Sequence, residues 1–279
     1  MRWLSFSHEG RVSYGYVDGT SVVDVGDQAG APVGLRQAIA ADALATLAAA
    51  PVVTRVELAA VEYLPPIPDP EKILCVGLNY RAHQEETGRG GEGFPTIFVR
   101  FANAQVGHEQ PMVRPQESNT LDYEGEIALI IGKPGRRISR EAALSHIAGV
   151  SIYNDGSVRE FQRQTSQFTP GKNFPATGGF GPWMMTPDEV GDLSALRLTT
   201  RLNGAVMQQA TADLMVHDFA EIIEYCSTFT ELVAGDVLVT GTPGGVGAAR
   251  KPPVFMDEGD LVEVALEPVG TLRHRVTVG

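Results

Sequence analysis

Short apolar segments bounded by glycine or proline dominate the chain from Lys72 onward, and they restrict the folds open to it. Strands are predicted at 73–76, 96–100, 126–131, 196–202, 237–239 and 261–266. Predicted helices are fewer, at 79–87, 140–143, 157–167 and 217–228. Because strands and helices do not alternate regularly, a doubly wound parallel sheet is not expected. We predict a mixed, mostly β catalytic domain, a roll or distorted barrel with a few helices.

The first 69 residues have a different character. Alternating residues at 11–17 predict short strands broken at Asp18-Gly19, and an Ala/Leu-rich stretch at 35–50 predicts a helix ended by Pro51. The proline-rich stretch at 65–70 is typical of a stiff linker. The sequence therefore predicts a small α+β N-terminal domain at 1–69 and a catalytic domain at 70–279.

Charge and cysteine content limit the partners. The 279 residues carry a formal net charge of −12, which disfavours nucleic acid and anionic membranes. No apolar run is long enough for a membrane span, and the N-terminus lacks the apolar core of a secretory signal. Cys75 and Cys226 lie far apart in apolar surroundings, which favours buried reduced thiols. These features predict a cytoplasmic location.

Three carboxylates follow or begin apolar segments. Glu124 and Glu126 are two residues apart at the start of a predicted strand, so they share one face. Asp155 ends another apolar run. Three oxygen ligands suit a hard ion such as Mg²⁺, Mn²⁺ or Ca²⁺. The competing interpretation is an exposed glutamate pair on an edge strand and an aspartate in a turn.

His83 and Glu86 are neighbours on a predicted helix, at i and i+3. A carboxylate beside an imidazole orients it and raises its basicity, which suits general-base catalysis. The competing interpretation is a solvated surface helix. The glycine-rich stretch at 88–93 matches a dinucleotide-binding pattern only formally, since no strand precedes it, and it is interpreted as the hinge of a mobile lid.

Further polar groups follow the carboxylates along the chain. Arg159 and Gln162 share a face of the helix predicted at 157–167, and Lys172 lies in a non-helical stretch. Either cation could bind a carboxylate or an enolate oxygen, or be a solvated surface charge. The loop at 241–247 lacks the ending of a P-loop. Its N–H groups and Thr242 could receive a carboxylate, or the loop could be a purely structural turn.

Together and in this order, these segments resemble the fumarylacetoacetate hydrolase family, over roughly residues 72–276. The resemblance is to the branch of acylpyruvate hydrolases and 2-hydroxyhepta-2,4-diene-1,7-dioate isomerases. It is carried by 76–80 with His83 and Glu86, Asp122 to Glu126, Asn154-Asp155 with Arg159 and Gln162, Lys172, 181–183, 203–204, 241–247, 259–260 and 270–272.

The resemblance implies a β-roll catalytic domain, usually homodimeric, with Mg²⁺ or Mn²⁺ on Glu124, Glu126 and Asp155. It also implies a catalytic His83–Glu86 dyad on a lid, and Lys172 beside the metal. Two residues depart from the family pattern. Asn173 stands where an aspartate usually follows the lysine, and His274 stands where an asparagine often occurs.

These features predict a metal-dependent enzyme for a small anionic 2-oxo acid. The first hypothesis is hydrolytic C–C cleavage of a 2,4-dioxo acid (an acylpyruvate or a ring-cleavage product), with His83 activating water. The alternative is isomerisation, tautomerisation or decarboxylation of a 2-hydroxymuconate-type or oxaloacetate-type acid. A third hypothesis is a catalytically idle metal-binding paralogue. The residues expected to bind substrate are Tyr80, Arg159, Gln162 and Thr242.

Overall fold

The computed structural model describes residues 1–90 and 93–279, and sheet dominates these ranges. In chain order the strands are β1 (Arg2–His8), β2 (Arg11–Asp18), β3 (Ser21–Asp24), β4 (Thr54–Glu57), β5 (Glu62–Tyr63), β6 (Ile73–Gly77), β7 (Thr96–Arg100), β8 (Gln105–Val106), β9 (Met112–Arg114), β10 (Leu121–Asp122), β11 (Gly125–Ile131), β12 (Ile147–Asp155), β13 (Ser157–Val158), β14 (Gly178–Met185), β15 (Arg197–Leu202), β16 (Ala205–Thr211), β17 (Val237–Val239), β18 (Leu261–Glu267) and β19 (Gly270–Val278).

The helices are short and connect the strands. They are α1 (Leu35–Ala40), α2 (Leu44–Ala49), α3 (Arg81–Thr87), α4 (Arg140–Ala143), α5 (Arg159–Gln162), α6 (Thr169–Lys172), α7 (Pro187–Val190) and α8 (Phe219–Phe229). Single 3₁₀ turns occupy Leu58–Ala60, Ala102–Ala104, Leu144–His146, Leu193–Ala195, Ala212–Leu214 and Gly247–Ala249. Within residues 1–90 and 93–279, no helix has the length and apolar character needed to cross a bilayer.

The strands form two main sheets. The larger has the order β4-β3-β2-β1-β14-β12-β11-β17-β6-β7, with β5 paired to β1 and β8 paired to β14. The smaller has the order β16-β15-β18-β19-β9, and β10 pairs with β13 separately. The strands of the first 69 residues continue the larger sheet, because β1 pairs antiparallel with β14.

Strand β11 lies at the centre of the packing, and every residue of it is buried. Its alternate side chains face opposite ways, so Ile127 and Leu129 join a core cluster with Leu198 and Val264 of the smaller sheet. Residues on the other face of β11 belong to a second cluster that includes α1. A strand that is buried on both faces has a nearly continuous apolar sequence, and β11 has one. The fold therefore carries the start of β11, with its carboxylates, into the interior.

The mostly β fold with a few helices is confirmed, and two predicted helices are wrong in extent. The predicted helix at 157–167 is reduced to Arg159–Gln162. Ser157–Val158 is a strand paired with β10, and the chain turns and bends at 163–166. The predicted helix at 35–50 is two helices, α1 and α2. Asp42, with a left-handed φ of 52°, separates them. Cys75 and Cys226 are buried free thiols, as predicted.

Candidate active site

The antiparallel pairing of β11 with β12 assembles three carboxylates. Gly125 pairs with Asn154, so the start of β11 lies beside the end of β12. Asp155 N–H donates to the Glu124 carbonyl at 2.8 Å, which holds the two segments together. Glu124, Glu126 and Asp155 are buried, and ligand oxygens of all three lie within 4.8 Å of one another. The interpretation of an exposed glutamate pair on an edge strand is wrong.

Buried cations surround these carboxylates. Lys172 is predicted in a non-helical stretch, but it is the last residue of the short helix α6. Its Nζ donates to Glu124 Oε2 at 2.6 Å and also to Asp155. Arg159 Nη1 lies 2.7 Å from Glu124 Oε1. Arg100 Nη1, at the end of β7, lies 2.6 Å from Asp155 Oδ1. Neither Lys172 nor Arg159 is a solvated surface charge, since both side chains are buried.

Glu126 differs from its two neighbours, because no cationic side chain among the described residues pairs with it. Its Oε2 accepts a hydrogen bond from Gly241 N–H at 2.6 Å. Burial, with Asp155 and Glu124 nearby, raises the pKa of Glu126 well above its usual range. Burial would also raise the pKa of Glu124, but Lys172 and Arg159 outweigh it and hold that pKa below its usual range.

This donor set fits a hard divalent cation. All three groups offer carboxylate oxygens, the ligands that Mg²⁺ and Mn²⁺ prefer. A cation placed among them would supply the positive charge that Glu126 lacks, because like carboxylates in a buried site repel without one. Glu124, Glu126 and Asp155 could therefore hold a metal, as expected from the sequence.

His83 and Glu86 form a hydrogen-bonded pair at the same site. His83 Nδ1 lies 2.7 Å from Glu86 Oε1, and the His83 ring is buried. Because a carboxylate accepts, Nδ1 carries the proton in the neutral ring and Nε2 is left as an acceptor. Glu86 is itself fixed by the Gly245 N–H, which donates to its Oε2 at 2.8 Å. His83 is therefore not a solvated surface histidine, although Glu86 is partly exposed.

The glycine-rich loop after β17 binds carboxylates of the chain itself. The N–H groups of Gly241, Gly245 and Gly247 donate to Glu126, Glu86 and Asp122 respectively. These amides are therefore not open donors for a substrate carboxylate, which corrects that expectation. Gly241 has a φ of 102°, and a Cβ there would lie 2.5 Å from that of Asn79. Glycine is required at this position by backbone conformation and by space.

A cavity of about 560 Å³ opens onto the site. His83, Glu86, Glu124, Glu126 and Lys172 line it, together with Arg159, Gln162 and Thr242 from the expected substrate-binding set. The fourth member of that set, Tyr80, is buried at 2% exposure and is not among the lining residues. Part of the predicted lid hinge, Gly91-Glu92, lies outside the described residues.

The lining residues differ in what they can still offer a ligand. Arg159 Nη2 is buried without a hydrogen-bond partner among the described residues, so it is an open donor. Gln162 Oε1 accepts from Arg159 Nη1 at 2.9 Å. The Thr242 hydroxyl donates to the Gly125 carbonyl at 2.9 Å and accepts from Gln208 at 2.7 Å. Arg159 is thus the best placed of the three to bind an anion.

Sequence reasoning missed two residues that hold the site. Arg100 follows the alternation of β7, in which Phe98 and Arg100 are buried. An arginine at an inward position of a strand signals a buried ion pair. Asp122 Oδ2 accepts from Arg159 Nε at 2.8 Å and from Ala248 N–H at 2.9 Å. Asp122 lies in the segment 122–126 that carries the family resemblance, but its contacts could not be predicted locally, because its partners lie far along the chain.

The chain belongs to the fumarylacetoacetate hydrolase family, since residues 72–277 match the model of the Fumarylacetoacetate (FAA) hydrolase C-terminal domain. It is 40% identical over 228 residues to oxaloacetate tautomerase FAHD2A, mitochondrial, of Bos taurus, covering 81% of this chain and 72% of that relative.

Two solved structures share the whole fold. Fumarylacetoacetate hydrolase (EaFAH) from psychrophilic Exiguobacterium antarcticum superposes with a TM-score of 0.87 at 33% identity, covering 100% of both chains. Maleylpyruvate hydrolase from Sphingobium sp. SYK-6, in complex with manganese(II) ion and pyruvate, gives a TM-score of 0.83 at 28% identity, again over 100% of both chains. The family resemblance and the β-roll fold expected from the sequence are confirmed.

Proposed function

We propose that this protein is a Mg²⁺- or Mn²⁺-dependent enzyme that interconverts the keto and enol forms of an oxaloacetate-type 2-oxo acid. The observation that carries the proposal is the His83–Glu86 pair, joined at 2.7 Å and lining the same cavity as Glu124 and Glu126. The name of the Bos taurus relative supports tautomerisation over the hydrolysis that the sequence favours.

Different residues of the chain move the proton and bind the substrate in this reaction. Tautomerisation removes one proton from carbon 3 and places one on the 2-oxo oxygen, with no bond to water formed. His83 Nε2 is the base that accepts the carbon-bound proton, and Glu86 stabilises the imidazolium that results. The open Nη2 donor of Arg159 holds the 1-carboxylate of the substrate.

Glu124, Glu126 and Asp155 would hold the divalent cation. When bound, such a cation polarises the 2-oxo group and stabilises the negative charge of an enolate. Lys172 holds Glu124 and Asp155 in place through hydrogen bonds from its buried ammonium group, and it lowers the pKa of Glu124. The three carboxylates, Lys172 and Arg159 are buried, which strengthens the electrostatic interactions among them.

Hydrolytic C–C cleavage of a 2,4-dioxo acid is the second candidate. It is supported by the likeness to maleylpyruvate hydrolase over the whole chain. The same dyad would then take a proton from water rather than from substrate carbon. The lining residues are compatible with both reactions, because the base and the candidate metal ligands are the same.

One set of assays separates these reactions. The Mg²⁺-loaded protein is mixed with enol oxaloacetate, the enol absorbance is followed, and pyruvate and carbon dioxide are quantified in the same samples. Faster enol–keto conversion without pyruvate supports tautomerisation. Pyruvate with carbon dioxide indicates decarboxylation. Acetylpyruvate and fumarylpyruvate are tested in parallel, and release of pyruvate with a second carboxylic acid would establish the hydrolase instead.

A further inference from the structure

Several cationic side chains border the active-site cavity at its solvent-facing side. They are Arg89, Arg163, Arg250 and Lys251. Arg89, Arg163 and Lys251 are exposed, whereas Lys172 and Arg159 on the inner wall are buried. The protein as a whole carries a net charge of −12, so this concentration of positive charge runs against its overall composition.

The inner and outer cations differ in their partners. Lys172 and Arg159 are each paired with buried carboxylates. Within residues 1–90 and 93–279, Arg163 and Arg89 form no ion pair. Arg250 is already used structurally, because it donates to the Met207 carbonyl at 2.7 Å and to Tyr123. Among the described residues, Arg163 and Arg89 are thus the rim cations whose guanidinium groups have no anionic partner.

Arg163 also lies close to other cations. Burial lowers the pKa of Arg163, and the like charges of Arg159 and Arg89 lower it further. Its backbone N–H donates to the Arg159 carbonyl at 3.2 Å, at the end of α5. Arg159 begins α5 and Arg163 directly follows its last residue. Both line one cavity, where Arg159 is buried beside Glu124 and Arg163 is exposed.

Resting on the proposed function, we infer that Arg163, assisted by Arg89, binds a second carboxylate of the substrate and selects 2-oxo dicarboxylates over 2-oxo monocarboxylates. The buried part of the cavity, at Arg159 and the carboxylate triad, receives the 1-carboxylate and the 2-oxo group; we call this part the inner site. The distal carboxylate then meets guanidinium groups that lack an anionic partner in the described chain. A guanidinium group binds a carboxylate through two parallel hydrogen bonds, which adds geometric selectivity to charge attraction.

A matched pair of ligands tests this assignment. Oxaloacetate carries the second carboxylate, whereas 4-methyl-2-oxopentanoate has an uncharged isopropyl group of similar shape in its place. Oxalate probes the inner site alone. Binding of all three to the Mg²⁺-loaded protein is measured by titration calorimetry, for the wild type and for Arg163→Gln, Arg89→Gln and Lys251→Gln.

Arg163→Gln is expected to weaken oxaloacetate binding by roughly 10- to 100-fold, the range for losing a charged hydrogen-bonded contact. Binding of oxalate and of 4-methyl-2-oxopentanoate should stay within about twofold, since neither reaches Arg163 with a charge. Arg89→Gln should also weaken the binding of oxaloacetate alone among the three ligands, but by a smaller factor. Lys251→Gln removes the same formal charge from the same rim but no guanidinium group, and should weaken oxaloacetate binding less than Arg163→Gln does.

Three results would overturn the inference. The first is an equal loss of affinity for all three ligands in Arg163→Gln, and the second is no loss of affinity for any of them. The third is a loss of oxaloacetate affinity in Lys251→Gln equal to that in Arg163→Gln, which would indicate a general electrostatic attraction rather than a specific contact. Failure of the proposed function looks different. If the wild type prefers oxaloacetate in binding but does not interconvert its tautomers, the carboxylate subsite is supported and the proposed tautomerase function is wrong. If the wild type interconverts the tautomers but shows no preference for dicarboxylates, the proposed function is supported and the carboxylate subsite is wrong.

Discussion

Lys172 Nζ lies 2.6 Å from Glu124 Oε2, and the two side chains are 1% and 6% exposed. The same ammonium group also contacts Asp155, so one buried cation bridges two of the three candidate metal ligands. Burial would lower the pKa of Lys172, but Asp155 and Glu124 raise it above its ordinary value, which keeps the group charged. The carboxylate cluster is therefore partly neutralised by the chain itself.

Removing this cation should destabilise the metal-free protein. Lys172→Met leaves buried carboxylates without their partner, and we expect a loss of about 3–5 kcal/mol in the free energy of unfolding. Urea unfolding in the presence of a chelator measures it. Lys133→Met, at an exposed lysine, is the control and should change little. Equal stability of Lys172→Met and wild type would contradict the role of Lys172.

Glu126→Gln should have the opposite effect on the metal-free protein. The amide keeps an acceptor for the Gly241 N–H but removes an ionisable group whose raised pKa reflects burial beside two other carboxylates. We expect the metal-free protein to gain about 1–2 kcal/mol in the free energy of unfolding, and the stabilisation by Mg²⁺ to shrink. Thermal unfolding with chelator and with Mg²⁺ gives both quantities, and exposed Glu141→Gln is the control. An undiminished response to Mg²⁺ would remove Glu126 from the ligand set.

His83→Ala should reduce turnover by roughly 10²- to 10⁴-fold, the usual contribution of a positioned general base. Binding of Mg²⁺ should be unchanged, because His83 is not a ligand of the triad. Glu86→Gln should give a smaller loss, since the base remains but its orienting carboxylate is replaced by an amide. His146→Ala, at a histidine hydrogen-bonded to the Lys133 carbonyl, serves as the control. Retained activity in His83→Ala would disprove the dyad.

Asn173→Asp, which restores the residue usual in the family, should destabilise this chain. Asn173 Nδ2 donates to the Val99 carbonyl at 3.1 Å and to the Thr169 carbonyl at 3.0 Å, while its Oδ1 accepts from Phe101 N–H at 2.7 Å. Aspartate cannot donate, so its carboxylate would face two carbonyl oxygens. We expect a loss of about 1–3 kcal/mol in unfolding free energy. Asn173→Ala removes the donors without adding a charge, and should be less harmful near pH 7 than Asn173→Asp.

His274 should make stability depend on pH. Burial lowers its pKa to about 4, despite the hydrogen bond between Nδ1 and the Gln110 carbonyl at 2.8 Å. The unfolded chain, with a histidine pKa near 6.5, binds more protons between those two values. The contribution of neutral His274 is therefore complete above about pH 6.5 and is lost as pH falls towards 4, by roughly 3 kcal/mol.

Chemical unfolding at several pH values between 4 and 7 checks the contribution of His274. The wild type should lose stability more steeply with falling pH than His274→Asn, which has no group that titrates in this range. Parallel pH profiles of the two proteins would show that His274 contributes nothing to acid sensitivity. The comparison also tests the second departure from the family pattern directly.

Local patterns were enough to locate most of the elements around the site. The predicted strand at 237–239 is β17, and the predicted helix at 79–87 contains α3, which carries His83 and Glu86. The shared face of Glu124 and Glu126 follows from the period of a strand alone. The predicted helix at 157–167 failed because Ser157 and Val158 pair with β10, a contact that helical periodicity does not report.

The sequence by itself determined the mostly β character, the shared face of Glu124 and Glu126, and the proximity of His83 to Glu86, because each depends on side-chain periodicity or on residues close in the chain. Tertiary structure alone decided that Arg100 would pair with Asp155, that Asp122 would hold Arg159, and that the loop at 241–247 would bind the chain's own carboxylates. These contacts join segments far apart in sequence. Burial makes an unpaired charge costly, so the register of the sheets selects which distant groups neutralise one another.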